Sequence, residues 1–409
     1  MPKINRQRLL DDLHKLRSFG AAGTGVVRTA LSDVDMESRN WLRDKYEQAG
    51  LKSRIDSVGN VIGLSTNTGP AVLIGSHSDT QPEGGWLDGA YGVICALEVA
   101  RAFTEDEMAS NYAIDVASWM DEEGTFLGCL GAMSYCETLS DEELHGATAV
   151  DGRVLTEVLE RTGLSANASE VLQPERQIAY LEAHIEQGPV LITHEEKIGV
   201  VTGIVGIREC TITFAGEQNH AGTTPMSLRK DAAASLIAVA AAINSRFPEK
   251  ASDVSVWTIG SISLGTQSPS IVPGRAAMTL QIRDPDNGIL DALEELATTI
   301  VAEQAGHNGV QVEIQIDERM SPAKMDETLQ ECIAASAETH ASGSWRRMPS
   351  GAVHDAQVLA ERLPSGMVFV PSIAGVSHSF AEDTDEDDLV LGCQVLSDAA
   401  FNVLREQEK

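Results

Sequence analysis

IRECTITFAG (207–216), RKDAAASLIAVAAAINSRF (229–247), VSVWTIGSISL (254–264), AAMTLQIRD (276–284), NGILDALEELATTIVAEQAG (287–306) and VQVEIQID (310–317) follow one another along the chain. The first, third, fourth and sixth alternate apolar with polar residues, the pattern of strands with one buried face. The second and fifth carry apolar residues at helical spacing. The order is therefore β-α-β-β-α-β, which predicts a ferredoxin-like unit built on one four-stranded sheet.

Outward from this unit the rhythm changes. AVLIGSH (71–77) and YAIDVASWM (112–120) are nearly continuous apolar runs, as expected of strands covered on both faces, with the helical stretch GVICALEVARAF (92–103) between them. The same alternation resumes in MVFVPSIAG (367–375) and DEDDLVLGCQVLSDAAFNVLREQ (385–407). A layered α/β domain in two parts, 1–206 and 321–409, interrupted by an inserted unit at 207–320, accounts for both rhythms. Crossings near 207 and 320 are expected to act as hinges, with a site between the domains.

Composition narrows the function classes. Against 61 acidic residues stand 30 lysines and arginines, so the formal charge is 30 − 61 = −31. A surface that negative repels phosphate backbones and anionic lipid, which argues against nucleic-acid and membrane partners. The first residues, MPKINRQRLLDDLHKL, form a charged helical pattern without the apolar centre of a signal peptide, and no stretch reaches the roughly 18 apolar residues of a membrane span. The six cysteines (Cys95, Cys129, Cys136, Cys210, Cys332, Cys393) are scattered, so reduced buried thiols and a cytoplasmic setting are expected.

Polar residues that interrupt apolar runs are the candidates for chemistry. In GSHSDT (75–80), His77 and Asp79 are two apart and face the same way on a strand, where a carboxylate can orient an imidazole. Asp88 lies at the glycine-rich turn of GGWLDGAYG (84–92), and Asp121, Glu122 and Glu123 follow a buried strand in WMDEEGTFLG (119–128). Neighbouring side chains diverge in extended backbone, so one of Glu122 and Glu123 can bind metal while the other acts as general base. His184 in LEAHIEQGPVL (181–191) and His378 in GVSHSFAED (375–383) complete the set. Each alone is equally compatible with a solvated loop or a satisfied structural residue. Together, at strand ends of one α/β domain, His77, Asp88, Glu123, His184 and His378 form a mixed nitrogen–oxygen set suited to Zn, Mn, Co or Ni at two neighbouring positions. The insert adds His220 in GEQNHAGTTPM (216–226), a hydrogen-bond donor for an oxyanion, and Arg283, a carboxylate clamp or else a surface ion pair.

These motifs, with RDP and MPSGAVHDAQ (348–357), fall in one fixed order that resembles the hydantoinase/carbamoylase branch of the M20 metallopeptidase family from about residue 5 onward. That branch comprises N-carbamoyl-L-amino-acid hydrolases, β-ureidopropionases and allantoate amidohydrolases. The resemblance implies two divalent metal ions, one bound by His77 and His184, the other by Glu123 and His378, with Asp88 bridging. It implies Glu122 as the general base, Asp79 orienting His77, and Gln187, His220, Ser270, Arg283 and His354 around a small substrate that carries a carboxylate. It also implies a homodimer joined through the inserted domain, His220 reaching a neighbouring subunit's site, and catalysis accompanying domain closure. Two positions depart from the pattern: Ser270 stands where relatives have asparagine in N-V-I-P-G, and Val353 replaces the last glycine of S-G-A-G-H-D. The resemblance implies that both lie near the acid end of the substrate. An N-formyl or N-acyl amino-acid amidase and an allantoate-type ureide hydrolase therefore stand as alternatives within the same chemistry, with a non-catalytic binding relative behind them.

Overall fold

Ala71–His77 is buried at every position and lies inside a nine-stranded mixed sheet in the computed structural model, which describes residues 1–407. It runs parallel to Ala113–Trp119 on one side and to Gln177–Ile185 on the other, and Ser365–Val370 extends the parallel set. Ile198–Ile204 joins Ser365–Val370 antiparallel, while the hairpin Lys52–Ile55 with Val61–Leu64 forms the opposite edge. That hairpin, and the strand that carries His184, did not stand out in the sequence. The register sets His77 beside Trp119 and His184 beside Phe369, so the carboxyl ends of four parallel strands come together. In open α/β sheets this is where loops converge and ligands bind.

Helix Ala90–Glu105 packs on the parallel strands and begins at Gly89. Its close approach depends on Gly92, where a Cβ would fall 2.3 Å from the carbonyl oxygen of Ala183. Helices Arg6–Ser18 and Glu386–Glu406 cover it from outside, giving a core that includes Leu9, Leu13, Ile74, Val93, Leu97 and Leu396. Each large apolar side chain contributes about 2 kcal/mol on burial. A core of this extent offsets the charged groups that the strand ends also bury. All six cysteines are buried and free. No helix among the described residues is long and apolar enough to cross a membrane.

Gly203–Ala323 forms a compact unit of its own, the rest of the chain another. In the smaller unit, strands Val256–Leu264, Arg275–Asp284, Gly206–Ala215 and Gln311–Met320 make a four-stranded antiparallel sheet in that spatial order. Helices Ala232–Arg246 and Asn287–Gln304 complete the β-α-β-β-α-β sequence. Burial along Arg275–Asp284 alternates at every step: Ala276, Met278, Leu280 and Ile282 join Phe214, Val239 and Leu293 in the core. The opposite side chains, Thr279, Gln281 and Arg283, remain partly exposed. Strand Val256–Leu264 is an edge, and its Val256, Ile262 and Leu264 are 54%, 59% and 45% exposed.

Candidate metal centre

Four chain segments meet beyond the parallel strand ends. His77 closes its strand, with Nε2 at 3.8 Å from Asp88 Oδ1 and 3.6 Å from Glu122 Oε2. His184 brings its Nε2 to 3.2 Å from the same Asp88 oxygen. The other Asp88 oxygen, Oδ2, is 3.3 Å from His378 Nε2, which lies 3.7 Å from Glu123 Oε2. Two donor sets result, His77–Asp88–His184 and Asp88–Glu123–His378, each with its ligand atoms within 4.8 Å of one another. Asp88 belongs to both and turns one oxygen to each. Imidazole and carboxylate donors without thiolate fit divalent cations such as Zn, Mn, Co or Ni. Glu182, His184 and His354 also cluster, but Glu182 accepts from Ser76 Oγ at 2.7 Å, Tyr180 O–H at 3.0 Å and Ala356 N–H at 3.1 Å. Its lone pairs hold the fold together, and it is no third cation site.

The rings are set by their far nitrogens. His77 Nδ1 faces the carbonyl oxygen of Asp79 at 3.1 Å and His184 Nδ1 that of Ile185 at 2.8 Å. A carbonyl only accepts, so both rings carry the proton on Nδ1 and turn Nε2 to the centre. The Asp79 carboxylate is farther from His77, at 3.9 Å. It accepts instead from the N–H groups of Asp121 at 3.1 Å and Glu123 at 3.3 Å, and lies 3.6 Å from Arg39 Nη2. Asp79 thus holds the loop that carries Glu122 and Glu123 as well as the turn after His77.

Burying so many acids shifts their proton equilibria. Burial lifts Glu122 well above the carboxylate range, with the negative charges of Asp355 and Glu123 adding to it. Burial likewise raises Glu123 to about 8 and, at the neighbouring turn, Asp121 to about 7. Asp88 moves the other way: burial opposes its charge, but hydrogen bonds from His184 and His378 hold it well below the usual range. Burial alone would lower His184, yet Asp88 raises it to about 9, and the bond to Asp88 raises His378 to about 9. His77 has no such direct bond and is lowered by its burial. The metal-free centre therefore keeps protons that cations would displace.

Gln187, in the left-handed region with φ 59°, points its Nε2 at Asp88 Oδ2 (3.0 Å), Ser377 Oγ (3.2 Å) and His378 Nε2 (3.3 Å). His354 is 1% exposed, stacks edge-on against His184 with centroids 4.5 Å apart, and meets Ser350 Oγ at 2.9 Å. In the inserted unit His220 is exposed on a short strand paired with Ile271–Val272. Its Nδ1 accepts from the N–H groups of Gly222 at 3.0 Å and Thr223 at 3.2 Å, which leaves the proton on Nε2. Ser270 precedes the partner strand, and its carbonyl accepts from Ala221 N–H at 2.9 Å. Arg283 donates from Nε to Gln281 Oε1 at 2.9 Å, and Gln281 Nε2 is fixed by Glu209 at 2.7 Å.

Sequence reasoning passed over several residues around the centre. Gln81 donates to Glu123 Oε2 at 2.7 Å. Arg39 is fully buried with Asp35 and the carbonyls of Gly59, Ser118 and Trp119. Glu382 is 2% exposed and binds the main chain at Leu87 and Asp88. Only Glu382 falls within a motif singled out above, GVSHSFAED (375–383), and nothing local separates it from the acidic run that follows.

Residues 73–402 match the description "Peptidase family M20/M25/M40". An N-carbamoyl-L-amino-acid amidohydrolase of Paenarthrobacter aurescens is 34% identical, with 97% of each chain covered. An allantoate amidohydrolase of Escherichia coli K12 is 32% identical over 96% of each. Among solved structures, an amidase of the hydantoinase/carbamoylase family from Burkholderia phymatum superposes with a TM-score of 0.94 at 48% identity, covering 99% of both chains.

Proposed function

The chain belongs to the M20/M25/M40 peptidase family, and from that premise we propose that it hydrolyses the linear C–N bond of an N-carbamoyl-L-amino acid or a similar N-substituted amino acid. The observation that carries this reading is the pair of donor sets sharing Asp88, with Glu122 reaching in beside them. Two divalent ions held there would supply a water of lowered pKa and polarise the scissile carbonyl. His77 and His184 would hold one ion and Glu123 and His378 the other, with Asp88 available to each.

Glu122 takes the proton of the attacking water and returns it to the leaving nitrogen. A carboxyl whose pKa burial has raised is suited to both halves of that transfer. His220, with its proton on Nε2, donates to the oxyanion, and Arg283, steadied by Gln281, pairs with the substrate carboxylate. Gln187, Ser270 and His354 complete the substrate contacts in this reading. For an N-carbamoyl substrate the products are the free amino acid, carbon dioxide and ammonia. The same reading includes a homodimer formed along the apolar edge strand Val256–Leu264. Ile262→Lys should turn a dimer into a monomer by sedimentation, and an unchanged mass would remove that edge from the interface.

The decisive experiment is amine release by Mn- or Co-reconstituted enzyme from matched N-carbamoyl, N-formyl and N-acetyl L-amino acids, with N-carbamoyl-β-alanine and allantoate. Preference for carbamoyl compounds is expected. Turnover of formyl or acyl compounds alone would keep the hydrolytic machinery and assign the change of substrate to Ser270 and Val353. Silence across the whole panel would overturn the substrate class.

A further inference from the structure

The two donor sets are built differently. His77 and His184 are buried near the ends of two central strands, so the sheet itself fixes one side of the centre. His378 lies on a loop with left-handed backbone (φ 50°) and a side chain 52% exposed, so packing does little to place it. Gln187 and Asp88 meet its Nε2, and the loop that carries it is tied down at the neighbouring Ser377 by Glu382. Its Oε1 accepts from the N–H groups of Leu87 at 3.1 Å and Asp88 at 3.0 Å, and its Oε2 accepts from Ser377 Oγ at 2.7 Å. The carboxylate packs so closely on the Asp88 loop that a Cβ at Gly85 would fall 1.9 Å from Oε1. Gln187 closes the ring by donating to both Ser377 Oγ and Asp88 Oδ2.

We infer that Glu382 is a positioning residue that ties the Asp88 loop to the His378 loop and thereby sets the affinity of the Asp88–Glu123–His378 position far more than that of the position whose two histidines the sheet holds. This deepens the proposed function and rests on its two-ion reading. All three hydrogen-bond donors to the Glu382 carboxylate are neutral, so it acts as an acceptor that two loops share; loss of such supporting contacts typically weakens metal binding by about 10- to 100-fold.

The test is Mn stoichiometry and affinity by equilibrium dialysis, for the full-length wild type, Glu382→Ala, Glu382→Gln and His378→Ala. Wild type should bind two ions. Glu382→Ala should bind one ion nearly as tightly as wild type and the other about 10- to 100-fold more weakly. Glu382→Gln, which still accepts from both N–H groups, should recover most of the loss. Equal weakening of both ions, or wild-type affinity for both, in Glu382→Ala overturns the inference. If wild type binds fewer than two ions, or His378→Ala still binds two, the reading of the centre fails, and the inference with it. Should Glu382→Ala fail to fold by circular dichroism, Ser377→Ala takes its place: a weakened second ion supports the tether, and an unchanged one overturns it.

Discussion

The larger unit buries its chemistry and the smaller one displays it. His77, Asp88 and His184 are at most 3% exposed, interlocked with main-chain carbonyls and with each other. His220 is exposed on a two-residue strand, and Arg283 stands on the sheet face away from the apolar core. The first arrangement yields side chains fixed before anything binds. The second yields groups that are oriented but still open to an incoming molecule. Mutations should therefore separate the two regions: changes in the larger unit strike the chemical step or the metal load, and changes in the insert strike substrate handling at little cost in stability.

The sharpest way to break this contrast is Glu122→Gln. Loss of a general base lowers kcat by about 10²- to 10⁴-fold, and both ions should stay bound by elemental analysis; loss of metal would move Glu122 into the ligand set. His220→Ala should lower kcat by about 10²- to 10³-fold, as for other oxyanion donors, with no change in melting temperature. A large drop in that temperature would mean the insert depends on His220 structurally. Arg283→Lys should raise KM for carboxylate substrates by about 10-fold, since an ammonium cannot reproduce the planar fork. An unchanged KM would take Arg283 out of the substrate site.

Proton linkage gives a finer test of the buried side. Without metal, Asp88 raises His184 and His378 to about 9, and burial raises Glu123 to about 8. All three hold protons at neutral pH that cations must displace, so apparent Mn affinity should climb as pH rises from 6 toward 9, by up to about tenfold per unit for each proton released. Calorimetry in buffers of differing ionisation enthalpy measures that release, and none at pH 7 would contradict the raised pKa values. The smallest effect concerns the surface common to both units. With a formal charge of −31, screening by sodium chloride should raise the melting temperature by about 2–4 °C.

The fold was legible where one physical constraint dominated. Arg275–Asp284 has a helix-covered face and an open face, so it alternates at every residue, while Ala71–His77 is covered on both sides and cannot alternate. The hairpin Lys52–Leu64 is short and lies at an edge, and its mixed pattern resembled loop. At the centre, residues whose type announces chemistry, such as His77 or Glu122, could be picked from their neighbours. Glu382 could not, because it stands just before the acidic stretch Asp383–Asp388, whose members mostly face solvent or cap the last helix. Only the chain crossing from Leu87 to Glu382 distinguishes it, and that contact spans 295 residues. Asp79 shows the same limit: its spacing from His77 was plain, but its bonds to Asp121 and Glu123 depend on strand register.

Around the centre, Asp121, Cys129, Gln187 and His378 all adopt left-handed backbone without being glycine. For an ordinary L-residue that conformation costs about 1–2 kcal/mol. Glycine at any of the four would relieve the cost, yet at His378 it would erase a donor, at Gln187 the contact to Asp88, and at Asp121 the carboxylate that binds Thr125, Phe126 and Leu127. Cys129 carries no such duty in the centre. A search for thermostable variants should accordingly accept glycine at 129 and reject it at the other three, so the directed evolution of this enzyme would itself draw the outline of its active site.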